Sequence, residues 1–197
     1  VAKEVNVFLL PDSLEFARAV GLTNSYATTC AALTWQRLLD VQAGQWLLVH
    51  GAGGGVGLAA VEIGKIMGAT VIATAGSQAK LDAAREHGAD HLVNYRDKNF
   101  RDVVLEITNS RGVDAVYDPV GGDVFKQSLR CIAPEGRIMP VGFAGGDIPQ
   151  IPANILLVKN LTVCGLNMGL YFGWTPKDMR YQYEDLMRET MDKLFGW

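Results

Sequence analysis

Residues 45–65 read QWLLVHGAGGGVGLAAVEIGK and constrain the fold more than any other stretch of this chain. An apolar run (Trp46, Leu47, Leu48, Val49) ends in a cluster of glycines. The glycines open directly onto apolar residues at helical spacing: Val56, Ala59, Ala60 and Ile63. Strand, tight glycine turn and helix N-terminus is the order in which a Rossmann unit presents backbone N–H groups to a pyrophosphate. A strict G-x-G-x-x-G is not met, because counting from Gly51 places Val56 where the third glycine should fall. The spacing that fits is A-x-G-x-x-G, with Ala52 making the turn, Gly54 where phosphates approach and Gly57 where the helix lies close on the strand. Glycine-rich turns also end ordinary strands. Here the strand before and the helix after favour a cofactor cradle over a plain turn.

The next strand bears on which dinucleotide fits. An NAD-preferring unit carries Asp or Glu about 20 residues past the glycines, where it binds the ribose 2′-OH. Here ATVIATA is followed by Gly76-Ser77-Gln78-Ala79-Lys80, and no acid occurs between Glu62 and Asp82. A carboxylate would repel a 2′-phosphate, whereas a hydroxyl (Ser77) and an ammonium (Lys80) would hold it by charge-assisted hydrogen bonds. The pattern favours NADP(H). Ser77 could equally cap the helix that starts near Gln78, with Lys80 simply solvated, and both readings can hold together.

At 197 residues, 49% of them hydrophobic, the chain can bury a full core as one soluble α/β domain. A net charge of −3 with acids and bases mixed throughout points to neither nucleic acid nor a membrane surface. Cys30, Cys131 and Cys164 are widely separated and read as buried thiols in a reducing compartment, the cytoplasm or another. His50, His87 and His91 have no ligand spacing to another His or Cys, so no metal is expected. Asp114 and Asp118 alternate on one strand as paired carboxylates might, but Asp118 fits better as the residue shaping the turn before Pro119 and Gly121-Gly122.

Helical patterns cover 14–23 and 28–40, the second carrying Leu33, Trp35, Leu38 and Leu39. Strands follow at 46–50, 70–75, 91–94, 114–118, 137–141 and 160–165, with helices at 55–67, 78–87, 100–108 and 123–131, and a helix-like tail over 176–195. Six strands separated by helices predict an α/β Rossmann fold: a doubly wound six-stranded parallel sheet, order 3-2-1-4-5-6, with helices on both faces. The cofactor should cross the carboxyl ends of the strands.

Three segments together are more specific than the glycine turn: HGAGGGVGLAAVEIGKIMGATVIATAGSQAKLDAAREHGADHLVNYRD, DAVYDPVGGDVFKQSLRCIAPEGRIMPVGFAGG and KNLTVCGLNMG. From about residue 19 to 168 the chain resembles the cofactor domain of the zinc-independent quinone oxidoreductases, within the medium-chain dehydrogenase/reductase superfamily. The resemblance implies cofactor contacts from Gly53, Gly54, Gly55 and Val56 in the glycine loop, and from Gly76, Ser77 and Lys80 after the second strand. Tyr95 maps to the aromatic near the adenine and 2′-phosphate, although it would suit a half-exposed strand end as well. Val120, Val141, Gly142, Phe143 and Ala144, with Leu166, Asn167 and Met168, map to the residues flanking the nicotinamide. Tyr26-Ala27-Thr28-Thr29 matches a Y-G-T-A turn whose threonine, here Thr28, lies near that ring.

The same resemblance implies NADPH-dependent reduction of quinones or other α,β-unsaturated carbonyls. A 2-enoyl thioester reductase and a non-catalytic dinucleotide-binding module remain as alternatives. It further implies a lead-in from a GroES-like domain over 1–25, the NADP-binding domain over 26–170, and a truncated helical return over 171–197. No position matches the family's polar substrate-site residues, so no catalytic residue is assigned. Residues 160–165 (NLTVCG) are free of charge and should form an edge strand. Family members pair that strand with a second copy, which implies a homodimer.

Overall fold

The computed structural model describes residues 2–197. Six parallel strands form one sheet in the order β3-β2-β1-β4-β5-β6, as the sequence predicts. They are β1 (Trp46–Val49), β2 (Thr70–Ala75), β3 (His91–Asn94), β4 (Val113–Asp118), β5 (Ile132–Pro140) and β6 (Thr162–Val163). Successive residues of each central strand face opposite sides of the sheet, and both sides are buried. Leu47, Val49, Val71, Ala73, Ala115 and Tyr117 join one core with α2 (Ala27–Thr34) and α3 (Gly55–Ile66). Leu48, Ile72, Val116 and Ile138 join the other, with α5 (Phe100–Ile107) and α6 (Gly122–Cys131). The near-continuous apolar reading of these strands follows from that double cover.

α4 (Gln78–Glu86) completes the β2–β3 crossover. The C-terminal segment carries α8 (Met168–Phe172) and α9 (Glu184–Phe195). It packs into the first core through Met187, Met191 and Leu194, and the Trp35 indole donates to Thr190 Oγ1 at 3.2 Å.

Several boundaries differ from the sequence expectation, among them β5, which starts at Ile132 and not at 137. The helix expected over 14–23 is only α1 (Phe16–Ala19) followed by a π-helical turn over Leu22–Tyr26, with Gly21 between them. The helix expected over 28–40 stops at Thr34. Arg137 on β5 takes the carbonyls of Gln36 and Leu38, both at 2.7 Å, so residues 35–39 turn while Leu38 and Leu39 stay buried. α7 (Ala153–Lys159) does not follow from the pattern, because ILLV between Asn154 and Lys159 is an unbroken apolar run too short to reveal a helical period. The last strand narrows from 160–165 to Thr162–Val163, since Asn160 adopts a left-handed φ of 53° to close α7.

Candidate functional site

The carboxyl ends of all six strands lie along one edge of the sheet, and every predicted cofactor residue except Thr28 falls in the loops that leave that edge or in the first turn of the helix that follows. Thr28 stands beside them in the first turn of α2, where its neighbour Thr29 reaches Val56 O at 3.4 Å. The glycine loop turns at Gly51, whose φ is 57°, and not at Ala52, which is buried and donates its N–H to Thr74 O at 3.0 Å. Gly57 has the predicted packing role. A Cβ there would stand 2.3 Å from Gly51 O and 2.7 Å from Ala52 Cα, so only glycine lets α3 lie this close to the turn. Gly54 caps α3 without a side chain, and the N–H groups of Gly55, Val56 and Gly57 begin the helix with no intrahelical acceptor. Twelve residues of helix begin on those amides, an arrangement able to receive an anion.

Toward β3, glycines again allow close approach. The stem of Lys80 lies over Gly53, where a Cβ would come within 2.5 Å of Lys80 Cβ. The Tyr95 ring covers Gly76, where a Cβ would come within 2.5 Å of its hydroxyl oxygen. Lys80 and Tyr95 are both exposed beside the loop. Ser77 occupies the N-cap position of α4, yet its hydroxyl makes no capping bond. That hydroxyl and the ammonium of Lys80 are therefore free to meet an anion.

Toward β6, the loops after β4 and β5 are laid on one another. Asp118 is fully buried, and its Oδ1 accepts from the N–H groups of Val120 (2.8 Å) and Gly121 (3.0 Å), the turn-shaping role expected of it. Asp114 is at the opposite end of the same strand, bound to Trp46 N and Arg111, so the two acids form no pair. Val141 and Gly142 are half-buried, while Phe143 and Ala144 are exposed. After β6, Leu166 is half-buried, and exposed Asn167 caps α8 by accepting from Gly169 N at 3.1 Å. Met168 is turned into the core and presents little surface to a ligand.

The chain that builds this edge matches known proteins. The zinc-binding dehydrogenase family matches residues 55–189. The chain belongs to that family. Its likeness within it is to quinone oxidoreductases. It is 42% identical over 194 residues to a quinone oxidoreductase-like protein 2 homolog of Nematostella vectensis, covering 98% of this chain and 50% of that protein. The quinone oxidoreductase of Pseudomonas syringae superposes with a TM-score of 0.85 at 30% identity, over 98% of this chain and 56% of that one. The quinone oxidoreductase of Escherichia coli, solved in complex with NADPH, gives a TM-score of 0.80 at 28% identity, over 96% of this chain and 55% of that one. The chain thus spans about half the length of the curated relatives it matches.

Although the family is named for zinc, no three His, Cys, Asp or Glu side chains gather into a metal site among the described residues. His50, just past β1, is buried on one face of the sheet, between Thr74 of β2 and Ser128 of α6. Ser128 gives its own hydroxyl proton to Val124 O at 2.8 Å, so it accepts from His50 Nε2–H at 2.8 Å. Nδ1 then accepts from Thr74 Oγ1 at 2.9 Å. Burial lowers the imidazole pKa to about 4, against an opposing pull from Asp118. The ring is neutral at pH 7 and structural. Behind the glycine loop, Tyr117 is buried with its hydroxyl 2.9 Å from Thr29 Oγ1, and burial raises its pKa to about 12. This Thr29–Tyr117 pair was missed from sequence, because nothing local links residues 88 apart. A hollow of about 540 Å³ lies away from the edge, between residues 34–37 and α9, and holds none of the predicted cofactor residues.

Proposed function

We propose that the cleft binds NADP(H), and that the whole protein reduces quinones or other α,β-unsaturated carbonyls. The observation that carries this reading is the set of free groups at the β2 end. An uncapping serine hydroxyl and a solvent-facing lysine stand beside open helix amides, where an NAD site would place a carboxylate. Gly53, Gly54, Gly55 and Val56 would seat the pyrophosphate, and Gly76, Ser77, Lys80 and Tyr95 the 2′-phosphate and adenine. Thr28, Val120, Val141–Ala144 and Leu166–Asn167 would line the nicotinamide, with Met168 supporting them from the core. The bound cofactor would supply a hydride to the acceptor. This chain's part is to orient the ring and exclude water from one side.

The test is calorimetric titration of the chain with NADPH and NADH, repeated on Lys80→Ala. NADPH should bind more tightly, and in the variant its affinity should fall roughly tenfold, about 1.4 kcal/mol, toward that of NADH. Equal binding of the two cofactors by the parent chain would sink the NADP assignment.

We further propose a homodimer through residues 160–165. β6 is an edge strand, and beside it Leu157 and Val158 of α7 are about four-fifths exposed (79% and 81%), an apolar surface that suits a second copy. Light scattering should give the mass of two chains, falling to one in Val163→Pro. No helix among the described residues is long and apolar enough to cross a membrane, and three buried free thiols suit a reducing compartment such as the cytoplasm.

A further inference from the structure

We propose that Asp118 is a positioning residue that sets the nicotinamide end of the cleft by clamping two loops together; this rests on the dinucleotide reading above. The side chain has no exposed surface, and a single oxygen, Oδ1, draws the N–H groups of Val120 and Gly121 back over the end of β4. Gly121 and Gly122 follow with φ of 75° and 54°, two successive left-handed residues that need such a tether to keep one path.

The strap continues through the backbone. The carbonyl of Asp118 accepts from Val141 N (2.8 Å), that of Pro119 from Ala144 N (3.1 Å), and that of Val120 from Gly145 N (2.9 Å). Three carbonyls in sequence thus hold the loop that carries Val141–Ala144. Steric closeness adds to this. A Cβ at Gly142 would stand 3.3 Å from Pro119 O, one at Gly145 3.0 Å from Val120 O, and one at Gly121 3.0 Å from the Phe143 ring. On the other side a Cβ at Gly51 would stand 3.2 Å from Pro119 Cγ, so the same strap also abuts the turn into the phosphate seat. The position of Val141–Ala144 is therefore inherited from the β4 loop, and that loop is fixed by one carboxylate.

The second oxygen sharpens the case. Asp118 Oδ2 is buried with no hydrogen-bond partner among the described residues. A buried acceptor left unmatched is costly, and a residue chosen only for filling that space would not be an acid. What compensates is the pair of N–H donors on Oδ1 and the N-terminus of the ten-residue α6 just beyond them.

The experiment separates the two halves of the ligand. The 197-residue chain is titrated with NADPH and, separately, with adenosine 2′,5′-bisphosphate, which fills the adenosine end alone. In Asp118→Ala, affinity for NADPH should fall at least tenfold while affinity for the bisphosphate stays within about twofold. Asp118→Asn, which keeps the accepting Oδ1, should recover most of the loss. Gly145→Val wedges the strap from the opposite loop without touching the carboxylate and should give the same split, which covers the case in which Asp118→Ala does not fold. Equal losses on both ligands, or no loss on NADPH, would overturn the positioning role. A parent chain that binds neither ligand would instead overturn the dinucleotide reading and this inference with it.

Discussion

The two ends of the cleft are built in different ways. At the β1–β3 end, the chain relies on missing side chains: Gly53, Gly57 and Gly76 let backbone and neighbouring side chains approach, and polar groups such as the Ser77 hydroxyl are left free. At the β4–β6 end, little is free. The backbone carbonyls of residues 118–120 and one carboxylate oxygen of Asp118 are consumed in holding loops to each other. An anion needs unspent donors, whereas a planar ring needs a wall at a fixed height. Each end has what its half of a dinucleotide would ask of it. Perturbing the first end should therefore act through steric fit or loss of a free group, and perturbing the second through displaced loops.

The largest effect should come from filling a glycine. Gly57→Val sets a side chain against Gly51 O and Ala52 Cα, both backbone atoms that cannot swing aside. Overpacking of this kind should cost about 3 kcal/mol of stability, read as a lower urea midpoint at unchanged slope. A variant as stable as the parent would mean that the close approach of α3 to the turn is incidental.

His50 lies beneath both ends, joining Thr74 of β2 to Ser128 of α6, and its titration tests how firmly the halves are tied. Its folded pKa, about 4, lies below the ordinary 6.5 because burial disfavours the cation. Between those values the unfolded chain takes up a proton that the folded chain refuses, so stability falls as the pH drops. From pH 7 to pH 5 this single group should remove about 2 kcal/mol. Urea unfolding at the two pH values measures the loss, and His50→Gln should flatten the dependence by that amount. An unchanged slope in the variant would show that other groups carry the acid sensitivity.

What could be read from the sequence divides along the same line. The sheet order follows from alternating strands and helices, and the glycine seat and the missing acid are features of consecutive residues, so both are legible without coordinates. Even there the turn residue is Gly51 rather than Ala52, because the motif fixes spacing and not which φ is positive. The other end was legible only by resemblance. Nothing near Asp118 announces that its neighbours' carbonyls will hold residues 141–145, or that Arg137 will end a helix a hundred residues earlier by taking the Gln36 and Leu38 carbonyls. α7 stayed hidden because Ile155–Val158 form one short apolar run between Asn154 and Lys159, with no alternation to mark a helix.

The smallest expected effect makes the finest distinction. A serine at a helix N-cap that bonds the first turn loses about 1 kcal/mol of stability when truncated to alanine. Ser77 sits at the N-cap of α4 without that bond, so Ser77→Ala should leave the urea midpoint unchanged. Its hydroxyl is then spent only when an anion arrives. NADPH affinity should drop by about 1 kcal/mol, near fivefold, and NADH affinity should not move. A loss of stability with cofactor binding intact would return Ser77 to the role of an ordinary cap. The opposite pattern would mean that a position normally used to start a helix is here held in reserve for the ligand, and that the β2 end is organised around a phosphate.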